Sequence, residues 1–319
     1  MSCLVLLWAG ASPALAELYI AGNGGTADTD PQRYDRFYVG ADKAFIGAGL
    51  DFSGVGSVNG AAGGGPWATM ISSQYFLTAY HYAAGGTVTF FPGNTTSGGG
   101  YSFSVDPNFR QNLYYNSING SVSLTQGANT LPADVCIERL TSPIPASDHI
   151  ASYPVLELPL TNNLAAYVGT TIYNYGSSDV VGRNIISNFQ LASVLEGGTG
   201  GEDGPDMVYD YLPPGMSGSV GQDETYLQPG DSGGPSFAVV NGQLALLGEH
   251  YDISAYGAPA SDGSSWSSDG FLPYYVSTID SVLPANQQIS VVVPEPSTLA
   301  LLLGFAGGAA AWAIRRRRA

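Results

Sequence analysis

This chain of 319 residues has few basic side chains, few cysteines and little helical periodicity. Ten Lys and Arg stand against 26 Asp and Glu, a formal net charge of −16. Four of those ten form the terminal run Arg315 to Arg318, so the body of the chain is more acidic still. Binding to nucleic acid needs clustered cations that displace counterions, and this balance excludes nucleic acid as a partner. Cysteine occurs twice, at Cys3 and Cys136. Cys3 lies in a leader-like segment, which leaves Cys136 alone and excludes a disulfide framework, so sheet pairing and core must supply the stability. Cys136 alternates with Val135 and Ile137, the placing of a buried, inert thiol. No apolar pattern of period 3.6 persists before the C-terminal segment, apart from a short one at 274–283, and a helical bundle is excluded too.

What the chain has in quantity is glycine, 43 residues of it, between runs of Val, Ile, Tyr, Phe and Thr. Strands are expected at 75–79, 87–91, 101–105, 121–124, 135–140, 166–174, 185–195, 235–240 and 243–250, with a further apolar segment at 67–71. Gly, Pro, Asn and Ser clusters punctuate them, the pattern of an all-β fold. The roughly 275 residues between the two ends fit two packed antiparallel barrels better than one. Their expected bounds are 17–150 and 151–285, with 286–293 as a spacer. The segment 196–210, carrying Glu202, Asp203, Asp206 and Asp210 among glycines, reads as a solvated acidic loop without the spacing of a calcium-binding hand.

Three stretches carry chemistry. Gly230-Asp231-Ser232-Gly233-Gly234-Pro235 sets a serine on a tight turn with backbone N–H groups free beside it. Leu77-Thr78-Ala79-Tyr80-His81 supplies an imidazole, and Ala133-Asp134-Val135-Cys136-Ile137 a carboxylate at the head of an apolar run. A hydroxyl is a poor nucleophile near neutral pH unless an imidazole takes its proton. A buried carboxylate holds that imidazole in the right tautomer, and fixed N–H donors stabilise the oxyanion that forms. Ser232, His81 and Asp134 are assigned those roles, with the N–H groups of Gly230 and Ser232 as the oxyanion hole. Asp106, the nearest competitor for the carboxylate, sits in a polar turn without an apolar strand to bury it.

The three stretches, in the order His, Asp, Ser, resemble the trypsin/chymotrypsin-like serine peptidase family over roughly residues 50–255. The first is similar to that family's L-T-A-A-H, the second to its D-I-A-L, and the third is identical to its G-D-S-G-G-P. The resemblance implies two six-stranded antiparallel barrels with the active site between them. It also implies endopeptidase activity on protein or peptide substrates through an acyl-enzyme, with no cofactor and no metal. Tyr82 replaces the cysteine that follows the histidine in vertebrate members. The family's buried aspartate, here Asp231, often pairs with an N-terminal amine freed by cleavage. No Arg or Lys followed by Ile-Val-Gly-Gly is present, and an internal donor is expected instead. By the same resemblance Tyr226 stands at the base of the substrate pocket, and Gly248, Glu249 and His250 lie on the strand that lines it. A Tyr at that base does not attract Lys or Arg as an Asp would. The alternative is a catalytically silent scaffold of this fold that binds matrix protein or polysaccharide.

Both ends read as addresses. Residues 1–16 contain an apolar run, Leu4 to Trp8, and close on Ala14-Leu15-Ala16, the form of a signal peptidase site, although no Lys or Arg precedes them. At the other end Pro294-Glu295-Pro296 precedes an uncharged apolar stretch, 297–314, and then the arginine run. Eighteen helical residues reach about 27 Å, enough for a transmembrane helix, and the arginines would stay cytoplasmic. The combination, 294–319, resembles the PEP-CTERM sorting signal of Gram-negative bacteria. That resemblance implies an exosortase as partner, transient anchoring in the inner membrane, and export to the cell surface or exopolysaccharide matrix.

Overall fold

The computed structural model describes residues 17–23, 30–58, 65–158, 164–190 and 204–294. They are mostly β-structure, in two large sheets. The first strand, β1 (Tyr19–Ile20), belongs to neither. The first sheet holds β2 (Val55–Val58), β3 (Trp67–Met70), β4 (Tyr75–Ala79), β5 (Thr87–Phe90), β6 (Tyr101–Asn116), β7 (Val122–Ser123) and β8 (Thr130–Leu140). Its order runs β5-β2-β3-β4-β8-β6-β7, and β5 pairs with β6 as well as β2. That extra pairing closes six strands into a ring and removes their edges.

The second sheet holds most of the remaining strands. It contains β9 (Val155–Leu156), β10 (Thr171–Gly176), β11 (Val180–Ile185), β12 (Asn188–Gln190) and β13 (Asp206–Asp210). After β14 (Thr225–Tyr226) it continues with β15 (Pro235–Val240), β16 (Gln243–Ile253), β17 (Trp266–Phe271) and β18 (Val291–Val292). Nine of these pair in the order β11-β10-β15-β16-β17-β13-β12, with β9 joined to β16 and β18 in parallel. The path is open among the described residues. β14 pairs with β1 and stands apart from the nine.

Two expected boundaries shift. Leu18, Ile20 and Tyr34 pack into the apolar cluster of the second sheet, with Tyr167, Met207 and Phe271, so the N-terminal segment serves the second half of the chain. The expected spacer contains β18, and Ile289 is buried in the shared core. In the acidic segment Asp206–Asp210 forms β13, paired with β17 along its length; Glu202 and Asp203 lie outside the described residues. The helical pattern at 274–283 yields a short helix, Val276–Asp280.

The sheets face each other across one core. Val55, Leu77, Val135 and Ile137 from the ring cluster with Tyr175, Phe237 and Leu246 from the second sheet. This accounts for the burial of β8 on both faces over residues 132–138: one face fills the ring and the other meets the second sheet. A strand buried twice needs the continuous apolar run that Val135, Cys136 and Ile137 provide. Cys136 is a free, fully buried thiol whose pKa burial raises well above the ordinary range, as an inert cysteine requires.

Arg36 also ties the halves together. Its fully buried guanidinium donates to the carbonyls of Phe91 (2.9 Å) and Gly93 (2.8 Å), beyond β5, and to the hydroxyl of Tyr175 (3.1 Å) on β10. Arg36→Met keeps much of the stem but strands three acceptors, and should lower unfolding free energy by about 3 kcal/mol. Urea denaturation followed by tryptophan fluorescence measures it; a change below about 0.5 kcal/mol would show that water replaces the guanidinium.

Candidate active site

Asp134, His81 and Ser232, far apart in sequence, meet between the two sheets. His81 lies in the turn that follows β4. Its Nδ1 is 2.8 Å from Asp134 Oδ2, and its backbone N–H donates to Asp134 Oδ1 at 2.9 Å. On the other side of the ring, Nε2 is 3.0 Å from Ser232 Oγ. A carboxylate only accepts, so the partners assign the imidazole proton to Nδ1 and leave Nε2 to accept from the serine hydroxyl.

The backbone of β8 is bent to make this possible. Two steps along β6, from Asn112 to Tyr114, oppose four along β8, from Cys136 to Pro132. Asp134 sits in that bulge with φ at 30°, a left-handed value rare outside glycine. Bulges re-aim side chains at such sites, and this one turns Asp134 toward the His81 turn. Arg110 on β6 steadies the same turn by donating to the carbonyl of Tyr80 at 2.6 Å. Asp134 is 3% exposed. Burial pushes its pKa up, and the bonds from His81 and the Tyr80 backbone pull it back down. Asp106 instead pairs with Arg139, which holds its carboxyl below the usual range.

The turn around Ser232 is held from several directions. Gly233 N–H donates to the carbonyl of His250 (3.0 Å), and His250 N–H to that of Gly234 (2.8 Å), stitching the turn to β16. Gly233 has φ at 79°, and a Cβ there would lie 2.9 Å from the backbone nitrogen of Ala79, so no other residue fits. Trp67 Nε1 donates to the carbonyl of Gly230 at 3.1 Å. Asp231 is fully buried and accepts from the N–H groups of Ser177 and Gln228, both at 2.7 Å. Internal amides thus occupy this carboxylate, as the sequence leads one to expect. Among the described residues the N–H groups of Gly230 and Ser232 have no hydrogen-bond partner. They are free to receive an anionic oxygen beside Ser232 Oγ.

A cavity of about 330 Å³ opens beside Ser232. One wall is the segment Leu227 to Ser232 and the other Tyr251, Asp252, Ile253 and Tyr256, with His81 and Tyr82 at the end. The expected pocket residues stand differently. Tyr226 is buried behind the wall, its hydroxyl donating to the Ala255 carbonyl and accepting from the Ala255 N–H at 2.9 Å. It is not among the residues that line the cavity, and its hydroxyl staples the loop that carries Tyr256.

Gly248 and Glu249 do not line the cavity. A Cβ on Gly248 would meet Asp269 at 2.6 Å, so this glycine serves packing between strands. Glu249 is buried between the sheets with neither carboxyl oxygen hydrogen-bonded among the described residues. Burial and the neighbouring Asp134, Asp269 and Glu138 raise its pKa well above the carboxylate range. His250 is among the lining residues, but its ring is buried, with Nδ1 2.8 Å from Asp269 Oδ1 and Nε2 3.1 Å from the Tyr175 carbonyl. Trp67, Arg110, Gln228 and Asp252 carry no motif, so the sequence gives no signal for their part in the site. Among the described residues no group of three or more His, Cys, Asp or Glu side chains has the spacing of a metal site.

Residues 292–318 match the PEP-CTERM protein-sorting motif. The motif marks a protein exported and sorted to the surface of a Gram-negative cell by an exosortase. No curated protein matches the chain. The leader-like residues 1–16 and the apolar stretch 297–314 lie outside the described residues. Among those described, no helix is long and apolar enough to cross a membrane.

Burial raises the pKa of Asp231 from 3.8 to about 6, against the opposing pull of its backbone donors and His250. The folded state therefore holds this proton more tightly than the unfolded chain, and stability falls as pH rises from about 4 to about 6. The difference amounts to at most about 3 kcal/mol. Asp231→Asn cannot titrate, so urea midpoints over this window should drop with pH in the natural protein and drop less in the variant. Parallel curves would contradict the assignment.

Proposed function

We propose that this protein is a surface-sorted serine endopeptidase that cleaves peptide bonds through an acyl-enzyme on Ser232. The observation that carries the reading is the continuous hydrogen-bonded line from Asp134 through His81 to Ser232, at 2.8 and 3.0 Å, beside two unengaged N–H groups. Each part has a separate job. Ser232 Oγ attacks the scissile carbonyl as His81 Nε2 takes its proton. Asp134 keeps the proton on Nδ1 and stabilises the imidazolium that forms. The N–H groups of Gly230 and Ser232 hold the tetrahedral oxyanion, a donor pair worth roughly 3–4 kcal/mol of barrier per bond. The imidazolium then protonates the leaving amine, freeing the first product and leaving the acyl group on Ser232. Water repeats the sequence in reverse, with His81 as base, and releases the acid.

The trypsin/chymotrypsin-like reading of the chain, with its two-barrel architecture, belongs to the same proposal. It is supported by the three motifs, their order and the closed six-stranded ring that carries two of them. The reading needs no cofactor or metal. The sorting motif adds the setting: substrates are proteins or peptides at or beyond the cell surface.

Hydrolysis of a labelled unfolded protein by the full-length chain tests the reading. Ser232→Ala and His81→Ala should each remove at least about 10³-fold of the rate. Asp134→Asn should lower it by about 10⁴-fold through the wrong tautomer. Far-UV circular dichroism should be unchanged in all three. Undiminished hydrolysis in the Ser232 or His81 variant would end this assignment.

A further inference from the structure

Two carboxylates, Asp231 and Asp252, line the cavity beside Ser232, with no Lys or Arg. Asp252, at the end of β16, has no ion-pair partner among the described residues. Its Oδ2 is buried without a hydrogen bond. The other acid at the cavity, Asp231, is already taken up by the amides of Ser177 and Gln228. Asp252 is different: the Ile253 backbone bond and the nearby His81 act on it, but no Lys or Arg pairs with it. Burial pushes its pKa up, the Ile253 backbone bond pulls it back, Asp134 adds to the rise and His81 opposes it. An anion held in such surroundings is relieved by a cation that brings its own donors.

Two neighbours suit the same visitor. Tyr256 stands at the rim of the cavity with 84% of its surface exposed, unusual for a side chain of its size. An exposed ring at a cavity mouth offers its face to a cation. Its loop is held in place by the Tyr226 hydroxyl at Ala255 and by Gln228 Nε2, which donates to the Gly257 carbonyl at 3.0 Å. Using its Nε2 on the loop leaves Gln228 its amide oxygen, an acceptor. A carboxylate, an amide oxygen and an aromatic face, with no Lys or Arg beside them, select against an acidic side chain.

We infer that this cavity takes a basic side chain, Arg or Lys, from a substrate residue within two positions of the scissile bond, and that Asp252 is the residue that selects it. This rests on the peptidase reading and names its substrate class. Tyr226 supplies no charge for the purpose. The carboxylate comes instead from β16, two residues beyond His250 on the strand that the resemblance assigns to the pocket. The negative net charge of the chain would also draw cationic peptides toward the cavity.

A positional-scanning library of fluorogenic peptides, offered to the full-length protein with Ser232→Ala as control, tests this. Peptides with Arg or Lys at one of the two positions before the cut, or the two after it, should exceed their Leu counterparts in kcat/KM by about tenfold. Asp252→Asn should remove most of that advantage. Tyr256→Ala, an exposed site whose replacement cannot disturb the core, should reduce it severalfold. Cleavage that depends on Ser232 but ignores basic residues would overturn the inference and leave the peptidase reading standing. So would a basic preference that survives intact in both variants. No Ser232-dependent cleavage of any peptide would overturn the reading and the inference together.

Discussion

A carboxylate almost sealed from water keeps its charge only where donors converge on it, and much of this structure answers that requirement at Asp134. The bulge in β8 and the left-handed backbone at Asp134 turn the side chain toward the end of β4. There the His81 turn supplies both a backbone N–H and the imidazole Nδ1. Packing of the second sheet against β8 provides the burial. Without the imidazole the carboxylate would lose its most effective donor; without the carboxylate the imidazole would have nothing to set its tautomer. The pair is mutually dependent, and the orientation of Nε2 toward Ser232 follows from it.

Ser232 reaches that nitrogen only because the two halves are fixed relative to each other. The Ser232 turn is stitched to β16, while Trp67 from the ring holds the Gly230 carbonyl from the opposite side. Asp231 anchors the turn from beneath through the amides of Ser177 and Gln228. Arg36 spans the same boundary farther away. Burial of several acids along this boundary has a consequence. Glu138, for which burial outweighs the attraction of Arg110, titrates at about 7, and Glu249 well above the carboxylate range. Charging these groups at alkaline pH disfavours the packed arrangement on which the Ser232–His81 contact depends.

Much of this was legible in the sequence because the elements concerned are apolar and short-range. Strand β4 coincides with the expected 75–79, and β15 with the expected 235–240. The three motifs meet, because each is a local solution to a local demand: a turn with free N–H groups, an imidazole after a strand, a carboxylate heading an apolar run. What the sequence hid is polar or long-range. Strand β17 buries Ser267, Ser268 and Asp269, and no hydrophobic alternation announces it, since hydrogen bonds to Leu227, His250 and Tyr209 make that burial tolerable. Strand β6 continues past Asp106 and Pro107 through a bulge that reads as a turn in the sequence. Of the pocket residues that the resemblance implies, Tyr226, Gly248 and Glu249 stay out of the cavity: Tyr226 turns its hydroxyl to the Ala255 backbone, Gly248 packs against Asp269 and Glu249 is buried.

Among the described residues the one cysteine is a free, buried thiol, so stability there rests on packing, which the shared core between the sheets provides. The central claim is that His81 activates Ser232, and reaction with a fluorophosphonate reports it directly. Full-length protein should be labelled on Ser232 alone, with mass spectrometry locating the adduct and His81→Ala suppressing it. A folded protein that takes no label, or takes it equally well without His81, would contradict the account.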